Sequence, residues 1–229
     1  MEIDINIKEK TITGIITDTK EDIIESIKNK SIQKIGIVKE DYLSSNFLIK
    51  VYEYMYYEIR RKRLILKNPK KKIDDSLRIV GLDNSYLNRN INSLSSSEKI
   101  LIILAISLLS NPEIIILDEL FKYFDKVSEK KLIILLEKIR DLYGKTIILI
   151  NDDNEIIYKY TSKLIIKKNN LFIEGDTNKL FQRVDFLHKN NIKVPEIIEL
   201  THLIKKKKKV KLEYHKDVRD ILKDIYKHV

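Results

Sequence analysis

The stretch Leu94–Leu120, "LSSSEKILIILAISLLSNPEIIILDEL", constrains this chain more than any other. Ser95 followed three residues later by Glu98 is a capping-box spacing and marks a helix start. The apolar run behind it is of helix length. Pro112 then bounds a short run, Ile114–Leu117, too brief for a helix and apolar at every position, as a strand buried on both faces must be. That strand runs into Asp118-Glu119. A second such strand, Thr146–Ile150, runs into Asn151-Asp152-Asp153. Helices alternating with doubly apolar strands imply an α/β layered domain with a mainly parallel sheet. Ligands of such sheets sit beyond the C-terminal strand ends, where Asp118 and Glu119 fall.

The remaining elements fit this frame. "IDINI" and "TITGII" read as strands, Glu21–Asn29 as a helix and "IQKIGIV" as a strand. Apolar spacing predicts a helix from Asp41 to about Arg63, and Lys67–Lys72 around Pro69 reads as a solvated loop. Ile73–Val80 is expected to be helical and stopped by Gly81, and Val127–Leu142 to be an amphipathic helix closed by Gly144. "KLIIKKNNLFIEG" reads as a hairpin turning at Asn169-Asn170, and the lysine-rich last forty-odd residues as helical.

Composition narrows the function classes. The 229 residues suffice for one domain and an extension. The absence of cysteine excludes disulfides and thiolate metal sites. No secretory leader is expected from "MEIDINIKEK", and the longest apolar run, Ile100–Leu109, is about half a membrane span. The net charge of +10 sits among 34 acidic residues. The basic runs 60–63, 67–72 and 205–209 carry no aromatic interleaving of the kind that reads nucleic acid. Four tyrosines lie between Tyr52 and Tyr57; their helical spacing suggests that some are core and the others face a partner helix.

A strand-end carboxylate can orient magnesium through its waters, and the next one can polarise an attacking water; equally, either can cap a following helix. A capped helix N-terminus offers amide donors to phosphate, or is only a helix start. The order and separation of these parts resemble the ABC-type ATPases, most closely the energy-coupling-factor transporter ATPases. The likeness runs from about Ile5 through "SLRIVGLDNSYLNRNINSLSSSEKILIILAISLLSNPEIIILDEL" and "KTIILINDDNEIIYKYTSKLIIKKNNLFIEGDTNKLF" to "NIKVPEIIELTHLIKKK".

That resemblance implies a P-loop-NTPase-like ABC ATPase fold over residues 1–183, with a helical subdomain at about 42–110 and a C-terminal extension, 184–229, for dimerisation. It assigns Asp118 to the Walker B aspartate, Glu119 to the general base and Asp125 to the D-loop aspartate. The signature falls on Leu94, Ser95, Ser96, Ser97 and Glu98, where both family glycines are replaced and a negative charge is added. The switch histidine corresponds to Asp152, an acceptor in place of a donor, and the Q-loop glutamine falls near Lys39-Glu40. The family's leading strand and adenine-stacking aromatic would precede Met1. The P-loop falls on Thr17, Asp18, Thr19 and Lys20, in a segment without glycine whose lysine is flanked by acids. A literal "GKT" at 144–146 follows a helix and precedes a strand, the reverse of a P-loop, with Ile139 where a glycine is required.

Cofactors implied are ATP and magnesium, the latter held directly only through Asp118, with binding at this chain's own site in doubt. Partners implied are a second, competent ABC ATPase in a heterodimer and a transmembrane transporter protein, with this chain peripheral on the cytoplasmic face. A vitamin or metal ion as cargo follows only from the resemblance. The alternatives are a non-catalytic scaffold or regulatory protein of the ABC fold and, beyond that, a nucleic-acid-associated one.

Overall fold

Runs of Ile, Val and Leu four to six residues long supply the strands of a computed structural model that describes residues 5–31, 33–39, 49–208, 212–215 and 217–227. The strands are β1 (Ile12–Thr17), β2 (Ile35–Val38), β3 (Ile114–Asp118), β4 (Thr146–Ile150), β5 (Lys163–Lys168) and β6 (Leu171–Asp176), in a mostly parallel six-stranded sheet. The helices are α1 (Lys20–Lys30), α2 (Val51–Arg61), α3 (Pro69–Ile79), α4 (Ser96–Leu109), α5 (Lys126–Tyr143), α6 (Asn154–Tyr160), α7 (Thr177–Phe181), α8 (Val184–Lys189), α9 (Glu196–Lys208) and α10 (Val218–Lys227). The expected α/β fold with a mainly parallel sheet is the one observed.

The chain divides into two compact units, Met1–Ile12 with Lys20–Ile150, and Thr13–Thr19 with Asn151–Val229. In the first unit β3 lies between β2 and β4, parallel to both, with Ile116 opposite Ile37 on one side and Ile148 on the other. All three of those strands are followed or preceded by helices, so β3 is covered on both faces, and Ile115, Ile116 and Leu117 are fully buried. Helix α4 is buried almost all round, from Ile102 to Ser107 without interruption, which explains why its apolar residues have no helical stripe. Gly36 permits the close approach of α4 to β2: a Cβ there would stand 2.1 Å from the Ser107 hydroxyl. In the second unit β5 pairs parallel with β1 and antiparallel with β6. The hairpin turns at Asn169, which takes a positive φ of 53°.

Several local readings change. Residues 5–8 of the first expected strand have no regular structure, and its first residues lie outside the described ones. The strand at "IQKIGIV" begins only at Ile35, and of the helix expected from Asp41 the segment 41–48 lies outside the described residues. The loop around Pro69 is instead the start of α3. Proline's missing N–H is harmless in a first turn, and the Asn68 side chain accepts from the Lys71 amide at 3.3 Å. The two glycine stops hold: Gly81 has φ +82° and Gly144 φ +63°. Lys145 of the "GKT" triplet donates to Asn111 at 2.7 Å, and the triplet is a helix end. Of the tyrosines in α2, Tyr54 is buried in the core, whereas Tyr56 and Tyr57 are exposed.

Candidate functional site

The parallel register of β3 and β4 delivers Asp118 opposite Ile150 at the strand ends. Glu119 then leaves the sheet with a left-handed φ of 53°, and its amide donates to the Ile150 carbonyl at 3.0 Å. This turn aims two successive carboxylates away from the core. Their surroundings differ. The Asp118 carboxyl is half-buried, and its Oδ1 is fully enclosed with no hydrogen-bond partner. Burial raises its pKa above the usual carboxylate value, Lys20 and then Lys39 oppose that in smaller part, and Glu119 adds to it. The Glu119 carboxylate is paired: Lys20 Nζ donates to its Oε1 at 2.9 Å, with both side chains about a quarter exposed.

Lys20 occupies the first position of α1, directly after the turn that corresponds to the P-loop. Only Asp18 and Thr19 separate β1 from α1. The turn closes on groups of its own unit. The Thr19 amide donates to the Thr17 hydroxyl at 3.0 Å, Asp18 Oδ2 accepts from the Asn169 amide at 2.7 Å, and Lys167 Nζ donates to the Thr19 hydroxyl. A phosphate cradle needs several successive amides turned inward on a glycine-rich loop. Two residues, both engaged elsewhere, cannot form one. The first turn of α1 also carries Glu21 and Asp22, which occupy the positive end of the helix dipole with carboxylates.

At the signature position Leu94 is buried, and Ser95 caps α4 as expected. The Glu98 amide donates to the Ser95 hydroxyl at 3.2 Å and the Ser95 amide to Glu98 Oε2 at 2.8 Å. The Ser95 hydroxyl also lies 2.9 Å from Glu98 Oε2 and 3.2 Å from the Ser97 hydroxyl, while Ser96 is exposed. Sequence reasoning missed the rest of this arrangement. Tyr86 donates its hydroxyl to Glu98 Oε1 at 2.6 Å, and Arg89 approaches the same oxygen to 3.7 Å while lying over the Tyr86 ring at 3.8 Å. The Tyr86 hydrogen bond, then those from Ser95, hold the Glu98 carboxyl below its usual pKa. A fixed carboxylate thus stands at the helix N-terminus, where a bound phosphate would otherwise be favoured.

Asp125 caps α5, accepting from Val127 and Ser128 amides at 2.9 and 2.7 Å; these bonds lower its pKa. Asp152 is exposed between β4 and α6. Lys39 stands in the Q-loop region close enough to influence Asp118, and Glu40 lies outside the described residues. The structure therefore brings Lys20, Lys39, Asp118 and Glu119 together. The Lys20–Glu119 pair had no sequence signal beyond the lysine's location.

A family model described as ABC transporter matches residues 5–122. The chain belongs to the ABC transporter family. Among curated relatives, it is 25% identical to the energy-coupling factor transporter ATP-binding protein EcfA2 of Clostridium perfringens over 76% of this chain and 61% of that protein. It is 24% identical to the energy-coupling factor transporter ATP-binding protein EcfA of Methanocaldococcus jannaschii over 94% and 80%. The chain thus spans less than two thirds of the length of the first of these. In fold it is similar to cbiO1 from Clostridium perfringens, described as part of the ABC transporter complex cbiONQ, with a TM-score of 0.65 and 21% identity over 87% of this chain and 90% of that one.

ABC ATPases generally bind ATP with magnesium. The enclosed, unpartnered Asp118 oxygen suits a cation-orienting role. The phosphate half of such a site does not fit: the β1–α1 turn has neither length nor glycine, and its lysine is engaged by Glu119. Among the described residues no cluster of three or more His, Cys, Asp or Glu side chains could hold a metal without nucleotide. No helix among them is long and apolar enough to cross a membrane.

Proposed function

We propose that this chain is the degenerate ATP-binding subunit of an energy-coupling-factor-like membrane transporter. It pairs with a competent ABC ATPase, docks peripherally on a transmembrane protein at the cytoplasmic face, and does not hydrolyse ATP at its own site. Magnesium, which would orient the phosphates and polarise them, would be held through Asp118, but no triphosphate is retained there for it to act on. In this assembly Glu119 is no general base. It lacks a phosphate-bound water to activate, and Lys20 neutralises it. Asp125 and the Ser95–Ser97 helix start face the partner, with the serines lent in trans to a site built on the partner's P-loop. Residues 184–229 extend the nucleotide-binding domain and contribute to dimerisation.

The observation that carries this proposal is the two-residue β1–α1 turn whose following lysine pairs with Glu119. The test is turnover by a complex purified after co-expression with the P-loop-bearing ATPase and multi-span protein encoded beside it. Glu119→Gln is expected to leave turnover within about twofold, whereas Ser96→Arg slows it tenfold or more without preventing assembly. Loss of turnover in Glu119→Gln would make this chain's own site catalytic.

One observation favours a second reading, a non-catalytic scaffold or regulatory subunit. Glu98, held by Ser95, Tyr86 and Arg89, already supplies the anion that the α4 N-terminus would offer a partner's nucleotide. Unchanged turnover in Ser96→Arg would select it.

A further inference from the structure

Two adjoining cavities of about 340 and 490 Å³ lie against α3 and α5 and share Arg78, Ile79, Leu135 and Lys138, so they form one trough. Its floor is apolar: Ile79, Leu101 and Leu135 are half-buried. Its exposed wall is α5. There Val127, Lys131, Ile134, Lys138 and Leu142 recur every three or four residues and fall on one helix face. Ile134 is 63% exposed and Leu142 70%, an unusual investment of aliphatic surface in water. The rim is basic. Lys72, Arg78, Lys131 and Lys138 border the trough, against a single acid, Asp75.

We infer that this trough is a docking site for an acidic, amphipathic helical segment of a partner protein. The apolar floor calls for a row of aliphatic side chains spaced along one face, which is how an amphipathic helix enters a groove. The basic rim selects acidic flanks on that helix and disfavours a second copy of this chain, whose same face would bring lysine against lysine. A bilayer surface does not follow a trough between two helices down to Leu101 and Leu135. From Val127 to Leu142 the wall is ~22 Å long at 1.5 Å per residue, room for about four helical turns. The site goes beyond the function proposed above and does not depend on pairing with an ATPase.

The test uses the full chain and a fluorescein-labelled 16-residue peptide with leucines at helical i, i+3, i+4 and i+7 spacing and glutamates elsewhere. Fluorescence anisotropy is expected to show saturable binding. Ile134→Asp and the double substitution Lys131→Glu/Lys138→Glu should each weaken it at least tenfold, with circular dichroism unchanged. All three positions are exposed, so the fold survives both variants. A peptide with lysine in place of each glutamate should not bind. Absence of saturable binding, equal binding of the two peptides, or binding indifferent to both variants would overturn the inference. So would co-sedimentation with phosphatidylcholine–phosphatidylglycerol vesicles that the same substitutions abolish in the absence of peptide binding, which would assign the surface to lipid.

Discussion

The β1–α1 turn and the end of β3 are both strand exits at which the family does nucleotide chemistry, and here they have diverged. In the turn, Thr17, Asp18 and Thr19 are each engaged by hydrogen bonds within their own unit. At the end of β3, Asp118 keeps a buried oxygen without a partner and a carboxyl whose ionisation burial opposes. The first segment has become self-sufficient, whereas the second still carries a polar group that the fold does not use. Loss of a phosphate loop therefore does not require loss of the acids beside it. The strand below them is core, and Lys20 offsets the charge of the outer one.

The comparison can be broken at either end. The largest effect is expected in β3 itself. Ile116→Ala should lower stability by about 3 kcal/mol in urea unfolding, because Ile116 is fully buried at the centre of three parallel strands. A loss under 1 kcal/mol would mean that the acids stand on a pliable strand. Next is the turn: Thr17→Val removes a buried hydroxyl that accepts from the Thr19 amide and should cost about 1 kcal/mol. No change would show that the turn is not held by its own side chains. Lys20→Met should cost under about 1 kcal/mol, since both members of the pair are partly exposed.

The smallest effect has a sign worth measuring. Burial raises the Asp118 pKa above its ordinary value of 3.8. Its protonated form therefore contributes stability that is full below 3.8 and is lost as pH rises through the raised value. Asp118→Asn, which stays neutral, should gain on wild type across that rise. Unfolding curves at pH 3.5 and pH 7 should show the variant relatively more stable at pH 7. The opposite order would mean that the ionised carboxylate is stabilised by partners.

Much of the fold was legible because buried parallel strands and capped helices leave local signals. Ile114–Leu117 and Thr146–Ile150 have no polar interruption, and Ser95 with Glu98 marked α4 to within one residue. Pro69 misled because proline both breaks helices and begins them, and Asn68 decides which. Of the site, the missing glycine loop was visible, since a cradle is a local chain property. The Lys20–Glu119 pair, 99 residues apart, and the hold of Tyr86 and Arg89 on Glu98 were not, because tertiary packing alone creates them. The alternation that suggested a first strand before β1 failed for a related reason: alternation without a neighbouring strand to pair with does not fix extended structure.

The central claim is that the retained acids no longer sit beside a phosphate cradle. Calorimetric titration of Mg-ATP into the isolated chain tests it most directly, with Asp118→Asn titrated in parallel. The account predicts no saturable heat at low-micromolar nucleotide and superimposable traces for the two proteins. A low-micromolar dissociation constant, weakened by Asp118→Asn, would contradict it and restore this chain's own site.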